Sequence, residues 1–108
     1  LPHRVKKALH CPSVNSYDAA TPSRRIAVIA GSGGSLLEQA AIAGADTLIT
    51  GDVKQDVFVS AQWLGVNLLE VSHFDLENPV FSKLGPWLEE TLGIATCQLS
   101  PKNPVQWI

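Results

Sequence analysis

The chain has 108 residues, of which 45% are hydrophobic and 17% charged, and its net charge is −2. This length predicts one small domain. The acidic balance argues against a nucleic-acid-binding protein, because a phosphate-binding surface needs a basic stripe. The apolar runs are too short to cross a bilayer, so no membrane partner is expected.

The two cysteines, Cys11 and Cys97, are far apart and form no CxxC pair, so no disulfide framework is predicted. Cys97 lies in a strand-like run, where a free buried thiol is expected. This favours a reducing compartment, and we expect a cytoplasmic location, with mitochondria as the alternative. The chain contains no Met and begins with Leu1, so we expect a piece of a longer polypeptide.

Hydrophobic periodicity predicts an alternation of helices and strands behind a lead-in segment, residues 1–24. In chain order the predicted elements are a helix over 4–10, an edge strand over 13–19, a strand over 25–30, a helix over 35–44, a strand over 45–50, a helix over 53–65, a strand over 66–72, a helix over 79–93 and a strand over 94–100.

Apolar positions predict the buried face of each element. The branched run 25–30 predicts a strand buried on both faces. Ser35 is the expected N-cap of the second helix and Gly44 its stop, and Pro86 should kink the last helix or begin a second one. The helix residues expected to face the core are Val5, Ala8, Leu9, Leu36, Leu37, Ala40, Ala41, Ala43, Val57, Phe58, Ala61, Leu64, Leu84, Trp87, Leu88 and Leu92.

Alternating strands and helices predict an α/β fold, with a mainly parallel sheet and helices on its faces, in one domain over 1–108. The loops that leave parallel strands emerge at one edge of the sheet, where open α/β sheets bind ligands. Here those loops are 31–34, 50–52 and 72–73, and they carry most of the glycine and polar residues between elements. A functional site is therefore predicted at this edge.

The first loop, GSGGS, begins at Gly31 and is followed by a helix whose amides could face an anion. A dinucleotide fingerprint needs a third glycine where this chain has Leu36, and no Lys follows as in a nucleotide-phosphate loop. Two alternatives stay open: a tight strand-to-helix turn, or a site lined by backbone amides. In the second loop, Asp52 has the position of a helix cap, and Lys54 is expected in solvent.

The third loop places His73 and Glu77 four residues apart, with the Glu at or just before the start of the last helix. An imidazole nitrogen and a carboxylate oxygen together suit zinc, manganese or iron. Two groups do not complete a zinc site, and His3 and His10 have no ligand spacing to this pair. Spacing alone leaves two alternatives: polar residues on a wet loop, or half of a metal site.

Four short motifs follow one another along the chain: Gly31-Ser32-Gly33, Gly44-Ala45-Asp46, Thr50-Gly51-Asp52 with Lys54, and Ser72-His73-Phe74 with Glu77. In this order, over residues 25–108, the sequence resembles the Nif-three-like family, also called the dinuclear-metal-centre or type-two GTP-cyclohydrolase-I-like family. Two positions depart from the family pattern: Gln55 stands where a His is frequent, and Ser72 replaces the usual Gly.

The resemblance implies an α/β protein with two divalent metal ions, zinc, manganese or iron, in a cavity, often in a ring-shaped hexamer. It implies that His73 and Glu77 are metal ligands, with the Glu bridging the ions. The other ligands, an adjacent His pair and an Asp, would come from an N-terminal half, so this chain is expected to hold a partial site. The residues expected to line the cavity are Gly31, Ser32, Gly33, Thr50, Gly51, Asp52 and Lys54.

The expected function is therefore a metal-dependent hydrolase with a small-molecule substrate, nucleotide-like or otherwise phosphorylated or heterocyclic. The alternative is a non-catalytic regulatory or protein-interaction protein that keeps the metal-binding fold. A third interpretation is a nucleotide-binding module that uses GSGGS.

Overall fold

The computed structural model describes residues 1–99, 102–106 and 108. Among these residues, no helix has both the length and the apolar character needed to cross a membrane. The elements are α1 (Pro2–Leu9), β1 (Val14–Tyr17), β2 (Ile26–Ser32), a 3-10 turn (Gly34–Leu36), α2 (Leu37–Ile42), β3 (Thr47–Gly51), α3 (Gln55–Leu64), β4 (Asn67–Val71), α4 (His73–Glu77), a second 3-10 turn (Asn78–Val80) and α5 (Phe81–Leu92).

The described strands form a four-stranded sheet in the order β1-β4-β3-β2. Strands β2, β3 and β4 run parallel, while β1 pairs antiparallel with β4 at one edge. This confirms the predicted α/β fold with a mainly parallel sheet. Because the three parallel strands point the same way, their carboxyl ends lie at one edge of the sheet.

Residues that alternate along β3 and β4 supply the two halves of the core. Leu48 and Leu68 are fully buried on one face, against α2 and α3. Ile49, Leu69 and Val71 are buried on the other face, where side chains of α1 and α4 pack. The period of two along a strand explains this division, since successive side chains point to opposite faces.

Two strand predictions are wrong. The run 25–30 belongs to the edge strand β2, and its Val28 side chain is 64% exposed because one face of β2 is open to solvent. Residues 94–99 form no strand, and Cys97 is exposed rather than buried. The branched residues of that run favour an extended chain, but they pair with neither edge of the sheet. Ser100, also predicted in this strand, lies outside the described residues.

Several helix predictions are also wrong. Ser35 does not cap α2, because a 3-10 turn intervenes and α2 begins only at Leu37. Of the two alternatives for Pro86, a second helix beginning there is wrong, because α5 is one helix that contains Pro86. None of the residues of α5 is buried. Periodicity identifies the apolar face of a helix, but it does not tell whether other parts of the described chain pack against that face. The residues expected inside but exposed are Ala8, Leu36, Ala43, Leu64, Leu84, Trp87 and Leu92.

Asp46, from the GAD motif, has a structural role at the start of the sheet. Its Oδ2 accepts hydrogen bonds from the backbone N–H groups of Arg24 and Arg25, at 2.9 and 2.8 Å. Its Oδ1 accepts a hydrogen bond from the Thr47 hydroxyl at 2.8 Å. These hydrogen bonds, chiefly the one from the Arg25 amide, lower the pKa of the Asp46 carboxyl. The carboxylate thereby fixes the segment that enters β2 against the start of β3.

We predict that Asp46→Asn lowers the urea midpoint of unfolding at neutral pH. A carboxyl whose pKa is lower in the folded state stabilises the fold above its unfolded pKa of about 3.9, and that contribution disappears as the pH falls through the lowered value. The wild-type and Asp46→Asn midpoints should therefore converge in acid. Asp56→Asn, which changes an exposed carboxylate on α3, is the matched control. A midpoint difference independent of pH would contradict the assignment.

Candidate metal centre

Helix α4 begins directly at the end of β4 and carries both predicted ligands. The Ser72 hydroxyl caps it by accepting a hydrogen bond from the backbone N–H of Asp75 at 3.4 Å. His73 and Glu77 are the first and last residues of this single turn, so their side chains share one face of the helix. The expectation that Glu77 lies at or just before the start of the last helix is wrong. Ser72 caps a separate helix directly after β4, Glu77 ends that helix, and the last helix begins at Phe81.

The imidazole of His73 lies between two carboxylates. Its Nδ1 is 2.5 Å from Asp52 Oδ2, and its Nε2 is 2.9 Å from Glu77 Oε1. The hydrogen bond to Asp52, together with the negative charge of Glu77, raises the pKa of His73. The side chains of His73 and Glu77 are 44% and 48% exposed, so an ion or a small molecule can reach both.

The glycines of the first two loops approach this pair at close range. Gly31 has φ +73°, and a Cβ atom there would lie 2.9 Å from Glu77 Oε1 and 3.2 Å from His73 Nε2. A Cβ atom on Gly51 would lie 3.1 Å from both the Gly31 carbonyl oxygen and the His73 Cα. The structure therefore brings Gly31, Gly51 and Asp52 together with His73 and Glu77.

Thr50 ties the GSGG loop to β3. Its fully buried hydroxyl donates a hydrogen bond to the Gly31 carbonyl oxygen at 3.0 Å and accepts one from the Gly33 amide at 2.8 Å. Thr50 and Gly33 thus shape the loop, which supports the interpretation of GSGGS as a tight turn. Ser32 and Lys54 are exposed. Asp52 does not cap α3, whose N-cap is Lys54, because its carboxylate is turned to His73.

A cavity of about 480 Å³ opens beside the pair, between the carboxyl end of β4 and the C-terminal segment. Much of its wall is apolar, and the amides of Asn15 and Asn103 add polar groups that the sequence analysis missed. Glu70, also in the wall, accepts hydrogen bonds from the Val53 amide and the Asn15 side chain. A charge inside the otherwise apolar run of β4 was the one signal that could have identified Glu70.

Within the described residues, no group of three or more His, Cys, Asp and Glu side chains is arranged to hold a metal ion. Asp52 contacts the ring nitrogen opposite the one that faces Glu77, so its carboxylate does not join the donors of the pair. The described residues therefore offer two converging donors at this edge, His73 Nε2 and Glu77 Oε1.

Comparison with known proteins gives one family and a consistent fold. The family described as Duf34/NIF3 (NGG1p interacting factor 3) matches residues 1–104. The GTP cyclohydrolase 1 type 2 homolog of Staphylococcus aureus strain COL is 38% identical over 71 residues, which make up 65% of this chain and 19% of that protein. The homolog of the same name from Staphylococcus epidermidis is 37% identical with the same coverage. The chain spans about a fifth of the length of these curated relatives.

Two solved structures extend the likeness to nearly the whole chain. Staphylococcus aureus hypothetical protein SA1388 is 28% identical with a TM-score of 0.79, over 99% of this chain and 32% of that one. The Bacillus cereus protein related to NIF3 is 24% identical with a TM-score of 0.74, over 99% and 31% of the two chains. The second likeness concerns the fold alone.

We predict that Gly31→Ala destabilises the chain more than Gly65→Ala. Both glycines have a left-handed backbone, at φ +73° and +65°, and an alanine there costs roughly 1–2 kcal/mol. A Cβ atom at Gly65 meets nothing within 4 Å, whereas one at Gly31 meets Glu77 and His73. Urea denaturation should show a larger loss for Gly31→Ala, and NMR should show a shift of the His73 ring signals in that variant alone. Equal losses with unchanged ring signals would contradict the close approach.

Proposed function

Because the chain belongs to the Duf34/NIF3 family, we propose that it supplies His73 and Glu77 to a centre of two divalent metal ions, and that the whole protein is a metal-dependent hydrolase. The match over residues 1–104 confirms the family resemblance that the four motifs carry. The remaining ligands would come from the part of the longer relatives that this chain does not cover.

The observation that carries the proposal is the 2.9 Å separation of His73 Nε2 and Glu77 Oε1. Metal bonds of roughly 2.1 Å place two neighbouring donors about 3.0 Å apart at the right angle of an octahedral ion and about 3.4 Å apart at the tetrahedral angle of zinc. The pair therefore has the spacing of two neighbouring ligands of one ion. Nitrogen and oxygen donors of this kind suit zinc, manganese and iron. The bare glycine backbone at Gly31 leaves room beside both donor atoms.

The wall beside the pair supports a small heterocyclic or nucleotide-like substrate. A divalent ion at such a centre lowers the pKa of a bound water and polarises a substrate oxygen. Next to it, the aromatic ring of Phe74 and the side chain of Val105 offer apolar contact to a flat substrate. Asn15 and Asn103 place amide groups at the same wall, where they can orient a polar ring edge. The relatives' name, GTP cyclohydrolase 1 type 2 homolog, agrees with this class of substrate.

We predict that the double variant His73→Ala with Glu77→Ala lowers the affinity for Zn²⁺ by more than about tenfold, since even outer-shell changes at metal sites cost 10- to 100-fold. Isothermal titration calorimetry on the chain measures this, and far-UV circular dichroism checks the fold. The wild-type chain itself should bind weakly, because it contributes two donors.

The matched control is His3→Ala with Glu38→Ala, which removes the same two side-chain types at exposed positions. It should bind Zn²⁺ like the wild-type chain. Unchanged affinity in the His73 and Glu77 variant would refute the ligand assignment. Tight binding of two ions by these 108 residues alone would refute the partial site.

A second candidate function, protein interaction, has its own observation. Ile42 on α2 and Trp63 on α3 are each 86% exposed, and both helices pack on the same face of the sheet. Contiguous apolar patches left in solvent mark surfaces that bind other proteins, and the two helices that carry these side chains contact each other. We propose that Ile42 and Trp63 contact other copies of the chain, as in the hexamer that the family resemblance implies.

We predict that Trp63→Glu lowers the molar mass of the assembly that size-exclusion chromatography with light scattering measures, because it places a charge in the contact between copies of the chain. Gln62→Glu adds the same charge at the neighbouring exposed position and should leave the mass unchanged. A wild-type chain that is monomeric at every concentration would contradict self-association through this face.

A further inference from the structure

We infer that Asp52 is a positioning residue: its carboxylate keeps the proton of the His73 ring on Nδ1, so that Nε2 presents its lone pair to the point that Glu77 also faces. As a statement about metal binding, this rests on the proposed function. As a statement about the ring in the metal-free chain, it stands by itself.

The contacts of the two ring nitrogens indicate which nitrogen carries the proton. A neutral imidazole carries one N–H, on either nitrogen. Asp52 Oδ2 lies 2.5 Å from Nδ1, whereas Glu77 Oε1 lies 2.9 Å from Nε2. The Nδ1 contact with Asp52 is a hydrogen bond, whereas the Nε2 contact with Glu77 is an ion pair, so we place the proton of the neutral ring on Nδ1. The lone pair of Nε2 then faces the side of the ring on which the Glu77 carboxylate lies, where a cation would contact both donor atoms.

The backbone at Asp52 points to the same role. Its φ is +52°, in the left-handed region that glycine adopts freely and other residues adopt at a cost of roughly 1 kcal/mol. Glycine would be cheaper here, and the carboxylate is not used to cap α3, whose N-cap makes no side-chain hydrogen bond. What the side chain does at this position is contact His73. Strained residues of this kind concentrate at functional sites.

The neighbouring Gly51 brings Asp52 close enough to contact the His73 ring. A Cβ atom on Gly51 would lie 3.1 Å from the His73 Cα, so the turn after β3 passes directly against the first residue of α4. At this range the short side chain of Asp52 reaches the ring nitrogen. A hydrogen bond from the distal ring nitrogen to a carboxylate is the usual way in which a ligand histidine is oriented.

The test is the tautomer of His73 in the metal-free chain. Long-range ¹⁵N–¹H correlation spectra, recorded at a pH where the imidazole is neutral, distinguish an Nδ1–H ring from an Nε2–H ring. The wild-type chain should show Nδ1–H. Asp52→Gly should shift the population to Nε2–H, because among the described residues Glu77 is then the carboxylate that still contacts the ring, while the backbone conformation stays accessible to glycine. The control Asp56→Asn removes an exposed carboxylate elsewhere and should show the wild-type tautomer.

A wild-type ring protonated on Nε2, or a ring unchanged by Asp52→Gly, would overturn the inference. The linked measurement is Zn²⁺ titration, in which Asp52→Gly should lower the affinity by about 10- to 100-fold. An Asp52→Gly variant with wild-type Zn²⁺ affinity would overturn the role of Asp52 in metal binding. If the tautomer responds as expected but the wild-type chain binds no Zn²⁺, the positioning of the ring holds and the proposed function fails.

Discussion

The site depends on the close backbone approach of three strand ends at one edge of the sheet. The buried Thr50 hydroxyl bridges the Gly31 carbonyl and the Gly33 amide, which holds the first loop against β3. Gly31 and Gly51 then lie so near α4 that a methyl group at either position would be within about 3 Å of it. Parallel pairing places these ends side by side, and the absence of side chains on the glycines lets them close up.

This packing gives the His73 ring its electrostatic surroundings. Asp52 arrives from the turn after β3 and Glu77 from the far end of α4, and they contact opposite ring nitrogens. Both contacts favour a positive charge at the ring, which explains the raised pKa of His73. The same arrangement favours a cation at Nε2. The tertiary structure, and not the local sequence alone, therefore gives this histidine its properties.

Much of the fold was predictable, because β3 and β4 are short segments rich in branched apolar residues and bounded by glycine and polar residues. The common edge of their loops follows from parallel topology. The helix that carries the site was not predictable, since a five-residue turn has too few residues to show a hydrophobic period. Neither was the contact of Asp52 with His73, because positive φ at a non-glycine residue has no sequence signal and helix capping is the usual role of Asp at a strand end. The wrong burial predictions for β2 and α5 have a similar cause, since periodicity predicts an apolar face but not what packs against it.

Assembly of the two donors is a consequence of folding of the sheet. An isolated helix as short as α4 is unstable in water, since the cost of nucleating the first turn is not recovered by further hydrogen bonds. Helix α4 persists because Ser72 caps it and because it packs against β2 and β3. His73 and Glu77 therefore converge only after the three parallel strands have paired. Any cation that binds the pair must in turn favour the paired sheet over the unfolded chain, so metal affinity and conformational stability are linked through this one short helix.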